Sequence, residues 1–172
     1  TGSIDPTDLA EVDHFVHPSA EVDDGVEIGV GTRIWHFSHV LSGSVIGRDC
    51  SFGQNSMIGP NVTVGDRCTL NAGAVVQCHS QEDGAFKSDR SSLGAGTTLG
   101  VGAFVHYGVT IGEGVRIKAD SFLMKGSEVP SGSRWGGNPA MELEAPLQSA
   151  PRPTPRIAHR TRARPRPIDT VT

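Results

Sequence analysis

His79 and His106 are the side chains of this 172-residue chain that a proton-transfer reaction near neutral pH would use first. Imidazole changes charge there unaided. His79 is the leading candidate, and its structural alternative is a surface side chain bonded to loop backbone. His106 is the second, one residue after the aliphatic Val105 and next to Tyr107. Trp35, His36, Gln54 and Asn55 form another set: His36 precedes Gln54 by 18 residues, and Phe37 precedes Asn55 by 18. Such a patch would orient a substrate or fill a subunit interface. Lys118, Lys125 and Arg134 are candidate phosphate ligands, or else ordinary surface charges. Cys50, Cys68 and Cys78 lack the paired spacing of a zinc site or a disulfide framework. They read as small core fillers, reduced thiols of a cytoplasmic protein, and no metal is expected.

What positions these residues is a repeat. From Val16, every sixth residue to Val76 is aliphatic or Phe, and a second run extends from Leu93 to Val129. Four residues after each of these stands a small or β-branched residue. A period of six is neither helical nor simple strand alternation; it fits a short strand followed by a tight turn. Gly collects at one and at three residues after the aliphatic position, where a corner needs positive φ or no Cβ. Three such sides close an 18-residue triangular coil. The repeats then stack into about six coils at about 4.8 Å each. His36 therefore lies over Gln54, and Cys50 over Cys68. The 22 glycines and 5% aromatic content fit a narrow aliphatic column.

The register breaks once. Val76 to Leu93 spans 17 residues, and the charged stretch between them must leave the stack as a protruding loop, placed at 81–92. His79 stands where the coil leaves register. Residues 1–15 read as an acidic lead-in, 16–140 as the coil, and 141–172 as a Pro/Arg-rich tail without a core. Residues 145–172 carry six Arg against one Asp, so the total of −4 leaves −9 for the remainder. With no aromatics interleaved, the tail reads as solvated rather than as a nucleic-acid arm. The longest apolar run is too short for a membrane span or signal core. The opening Thr1 fits a piece of a longer chain.

The six-residue pattern over 16–139 resembles the hexapeptide repeat of the all-β, single-stranded left-handed parallel β-helix proteins. Most members with a protruding loop are homotrimeric acyltransferases using acetyl-CoA or another acyl-CoA, with active sites between subunits. The segment Ile34-Trp35-His36-Phe37-Ser38-His39-Val40, with Cys50-Ser51-Phe52-Gly53-Gln54-Asn55, looks like N-acetyltransferases of nucleotide-linked amino sugars. That resemblance implies His79 or His106 as base. It also implies Trp35, His36, Gln54 and Asn55 on the amino-sugar nucleotide, and Lys118, Lys125 and Arg134 on acetyl-CoA. Phe104-Val105-His106-Tyr107-Gly108 and Arg134-Trp135-Gly136-Gly137-Asn138-Pro139-Ala140 are similar to the β-helix segment of polylysine-synthetase-like peptide synthetases. This second resemblance implies a non-catalytic module. Carbonic anhydrases of the γ type share the fold, with three His on zinc at subunit interfaces and four residues between the second and third. Here His79 and His106 are 27 apart and no such pair occurs.

Overall fold

Each hexapeptide forms a two-residue strand and a four-residue turn, and three of them make one rung of a left-handed parallel β-helix. The computed structural model describes residues 13–144; the lead-in up to residue 12 and the tail from 145 lie outside the described residues. The first face stacks seven parallel strands: Phe15–Val16, Arg33–Ile34, Ser51–Phe52, Thr69–Leu70, Thr98–Leu99, Arg116–Ile117 and Arg134–Gly136. The second face stacks six, from Glu21–Val22 through His39–Val40, Met57–Ile58, Val75–Val76 and Phe104–Val105 to Phe122–Leu123. The third runs from Glu27–Ile28 to Glu128–Val129, also six. The stack thus exceeds the expected six rungs by one strand on the first face. Phe15 already belongs to the first strand, and Met141–Glu142 turns back antiparallel on Trp135–Gly136.

The second residue of each strand points inward. Ile34, Val40, Phe52, Ile58, Val76, Leu99, Val105 and Leu123 are fully buried, one above another. Each such side chain contributes about 1.5–3 kcal/mol by leaving water. The small residue four places on is buried too, and its polar atom is satisfied across the rungs. Thr32 Oγ1 donates to Gly47 O at 2.7 Å, Ser44 Oγ to Gly59 O at 2.8 Å, and Cys50 Sγ to Gly65 O at 3.2 Å. Cys68 Sγ donates to Gly94 O in the same way. The three thiols are free, buried core fillers, and burial raises the pKa of Cys78.

The two glycine positions answer different demands. Three residues past the inward side chain the backbone enters the left-handed region: Gly43 has φ +71°, and Asn55, Asn61 and Phe37 take the same place at +56°, +57° and +56°. One residue past it, φ is ordinary but the next rung lies too close. A Cβ on Gly47 would sit 2.6 Å from Asp66 N.

Candidate functional site

The insertion is a β-hairpin. The chain leaves the corner between the second and third faces after Cys78 and runs outward as His79–Glu82. It turns at Asp83 and Gly84, both at positive φ, and returns as Ala85–Ser88. The expected loop at 81–92 therefore starts two residues earlier, and Ser92–Leu93 is already a strand of the third face. Ser91, rather than Ser80, takes the small inward place; it is 3% exposed and donates to His106 O at 3.3 Å. The Asp83-Gly84 pair carried the hairpin signal, since it suits a two-residue turn.

His79 stands at the hairpin base. Its ring stacks on Phe86 with centroids 5.2 Å apart, and it lines a cavity of about 420 Å³ with Pro60, Asn61, Cys78 and Asp89. The ring is half-buried, and among the described residues neither ring nitrogen is hydrogen-bonded. A neutral imidazole here has a lone pair available to take a proton.

His106 lies on the same corner but is differently engaged. Its Nδ1 accepts the Tyr107 N–H at 2.8 Å, so in the neutral ring the proton sits on Nε2. Nε2 faces Glu82 Oε1 at 3.9 Å. The Phe104, Phe122 and Tyr107 rings meet the imidazole edge-on. Burial lowers its pKa, the Glu82 charge pulls the other way, and Lys125 adds to the lowering. His106 is thus a neutral donor rather than a free base.

Glu82 is the residue that sequence reasoning missed. It accepts from Lys125 Nζ at 2.7 Å, Ser80 Oγ at 2.9 Å and Lys87 Nζ at 3.4 Å. The Lys125 bond comes first among the causes that bring its carboxyl down to about 2. No repeat position announces Glu82, because only the hairpin's fold brings it back to the rungs beside His106. The bond also commits Lys125, whose pKa is raised by Glu82 and whose Nζ lies 5.9 Å from the Tyr107 ring centre.

The other predicted groups lie elsewhere. Trp35 and His36 open the corner between the first and second faces, and with Gln54, Asn71 and Val101 they line a shallow hollow of about 430 Å³. His36 stacks on His17 with centroids 3.6 Å apart, Trp35 packs on Phe15, and His36 Nδ1 is buried without a hydrogen-bond partner among the described residues. Asn55 shares that corner, its N–H donating to His36 O at 3.0 Å. Lys118 directly follows the strand Arg116–Ile117, and Arg134 opens the last strand of the first face. Arg134 is in register with Arg116, and the Lys118 stem lies over Gly136. The three expected phosphate ligands are therefore split, with Lys125 on the hairpin corner. The two histidines do not share a three-ligand cluster among the described residues.

Residues 43–78 match the family model of the bacterial transferase hexapeptide (six repeats), and residues 91–125 that of the hexapeptide repeat of succinyl-transferase. Gamma carbonic anhydrase 2, mitochondrial, of Arabidopsis thaliana is 31% identical over 150 residues, covering 79% of this chain and 49% of that protein. The acyl-[acyl-carrier-protein]–UDP-N-acetylglucosamine O-acyltransferase of Brucella ovis is 33% identical over 100 residues, covering 58% of this chain and 34% of that protein. The chain spans about half or less of the length of these relatives. Among solved structures, the N-acyltransferase AntD from Bacillus cereus, a mutant in complex with dTDP and coenzyme A, superposes with TM-score 0.71. It is 16% identical, with 84% of this chain and 91% of that one covered. The acetyltransferase domain of PglB from Neisseria gonorrhoeae, in complex with acetyl coenzyme A, gives TM-score 0.64 at 24% identity, covering 74% and 56%. These likenesses establish the fold.

Proposed function

We propose that this left-handed β-helix of the hexapeptide-repeat type is an acyl-CoA-dependent N-acyltransferase acting on an amino group of a nucleotide-linked sugar. The observation that carries the reading is the unbonded, half-buried imidazole of His79 on the rim of the hairpin cavity. The acceptor nitrogen attacks the thioester carbonyl, and a C–N bond forms while the C–S bond breaks. His79 takes the proton that the nitrogen must lose and returns it to the departing thiolate. Glu82 and His106 fix the hairpin against the rungs, which keeps His79 in place. Of the three expected phosphate ligands, Arg134 and Lys118 are left to meet the phosphates of the acyl donor, since Lys125 is bonded to Glu82.

Trp35, His36, Gln54 and Asn55 are assigned to the nucleotide sugar. They sit on a different corner from His79, separated by the whole second face, so base and acceptor patch meet only across a subunit boundary. The second face supports self-association into a homotrimer: Met57, Val75, Phe104 and Phe122 form an outward apolar column, with the two Phe rings stacked at 4.9 Å. The outward column of the first face is polar past Phe15, with Arg33, Ser51, Thr69, Thr98, Arg116 and Arg134, whereas on the second face Glu21 and His39 precede the apolar residues.

The test incubates purified protein with acetyl-CoA and a panel of amino-sugar nucleotides and follows CoA release. The expected result is turnover that falls about 100-fold or more in His79→Ala. Absence of both turnover and CoA binding overturns the reading in favour of a non-catalytic module. The carbonic anhydrase relatives favour a second reading, zinc-assisted hydration of carbon dioxide. The sequence lacks the closely spaced His pair of that zinc site, and no three histidines converge within one chain among the described residues.

A further inference from the structure

We propose that Glu21, Asp23 and His39 form a surface site for a divalent transition-metal ion, of the zinc class, that clamps the first rung of the helix to the second. The site lies at the opposite end of the second face from His106 and takes no part in the proposed acyl transfer.

The fold brings the three donors together. Glu21 and His39 are in-register partners on neighbouring strands of the second face, and both project outward. Asp23 follows Glu21 by two residues, past the inward Val22, so its side chain emerges on the same side. One donor atom from each of the three lies within 4.8 Å of the others. Asp23 is held by two bonds: Oδ1 stands 2.8 Å from His39 Nε2, and Oδ2 accepts the Ser42 N–H at 3.2 Å. Its carboxyl is correspondingly held below the ordinary range, with the His39 bond as the main cause.

The chemistry of the set selects the ion. One imidazole and two carboxylates make a mixed nitrogen–oxygen donor set, which suits zinc and its neighbours better than magnesium or calcium. Bond lengths of about 2.0–2.2 Å require the three donors to close by a small side-chain movement, with water filling the remaining positions. With His39 neutral the set carries two negative charges, and among the described residues no Lys or Arg pairs with either carboxylate. The ion would take the place of the His39–Asp23 hydrogen bond, with the ring proton of His39 moved to Nδ1 so that Nε2 offers its lone pair. Binding would join residues of two successive rungs at the end of the stack, where Glu21–Val22 has a neighbour on one side only among the described strands of its face.

The test titrates chelator-treated full-length protein with Zn²⁺ alone by calorimetry and repeats the thermal melt with and without the ion. We expect one saturable site lost together with His39. His39→Ala and Glu21→Gln should each weaken binding at least tenfold, while His14→Ala, which removes an exposed imidazole outside the set, should not. Zn²⁺ should raise the melting temperature of the wild type and leave that of Glu21→Gln unmoved. Glu21 is exposed, so its amide variant keeps the fold and keeps the test decisive. No saturable uptake, or equal uptake by wild type, His39→Ala and Glu21→Gln, would overturn the proposal and leave an ordinary His–Asp ion pair.

Discussion

Phe37 is a bulky residue in a backbone conformation that its counterparts Asn55, Asn61 and Gly43 tolerate far better. Phe37 is 67% exposed, so packing does not explain its presence. A strained residue beside Trp35 and His36 makes Phe37 a test of the proposed acceptor patch. Phe37→Asn should raise stability by about 0.5–1 kcal/mol in a thermal melt, while raising KM for the amino-sugar acceptor. Unchanged KM would remove Phe37 from the acceptor patch. Glu82 gives a pH signature. Its carboxyl is brought to about 2 from an ordinary 4.5, so its bonds contribute fully above pH 4.5 and are lost as pH falls towards 2. The melting-temperature gap between wild type and Glu82→Gln should therefore be full at pH 7 and close across that acid window. The place of His79 at the base of the insertion was legible in the sequence, because it stands at the break in register. Glu82 was not, because its partner Lys125 is 43 residues away and belongs to a later rung.

At the scale of the element, strand and turn were readable to the residue. The inward aliphatic, the buried small residue and the left-handed corner each impose a separate requirement on one position in six. The hairpin was legible only as an interruption. Its 17-residue interval is one hexapeptide plus 11 inserted residues, and the insertion's own pairing follows from Asp83-Gly84 rather than from the repeat. Glycines one residue past the aliphatic show how tightly the rungs approach. Gly47→Ala places a methyl group against the backbone of Asp66, which has no rotamer by which to move away. That substitution should cost about 1–3 kcal/mol by overpacking, as measured by denaturant unfolding. The same change at Gly25, where a Cβ meets nothing within 4 Å, should cost only the strain of its positive φ.

For the whole molecule, position modulo 18 decides what can meet. By that count Trp35 and His79 fall on different corners, so the proposed acceptor patch and the proposed base lie apart within one chain. The subunit arrangement that would reunite them was not legible, because a repeat specifies the inward side chains and leaves the outward ones free. The stack also ends in a particular way. After the last strand of the first face, Met141–Glu142 reverses to run antiparallel along it. The backbone there also covers Phe122: its N–H donates to Gly137 O at 2.9 Å, and its carbonyl accepts from Ala140 N–H at 2.8 Å. A ladder of parallel strands otherwise offers its terminal edge to any further copy. Removing residues from 137 onward should therefore convert a discrete particle into one that polymerises end to end, visible as filaments by electron microscopy. Among the described residues, the short reversed strand closes the edge at which the first face would otherwise accept a further strand.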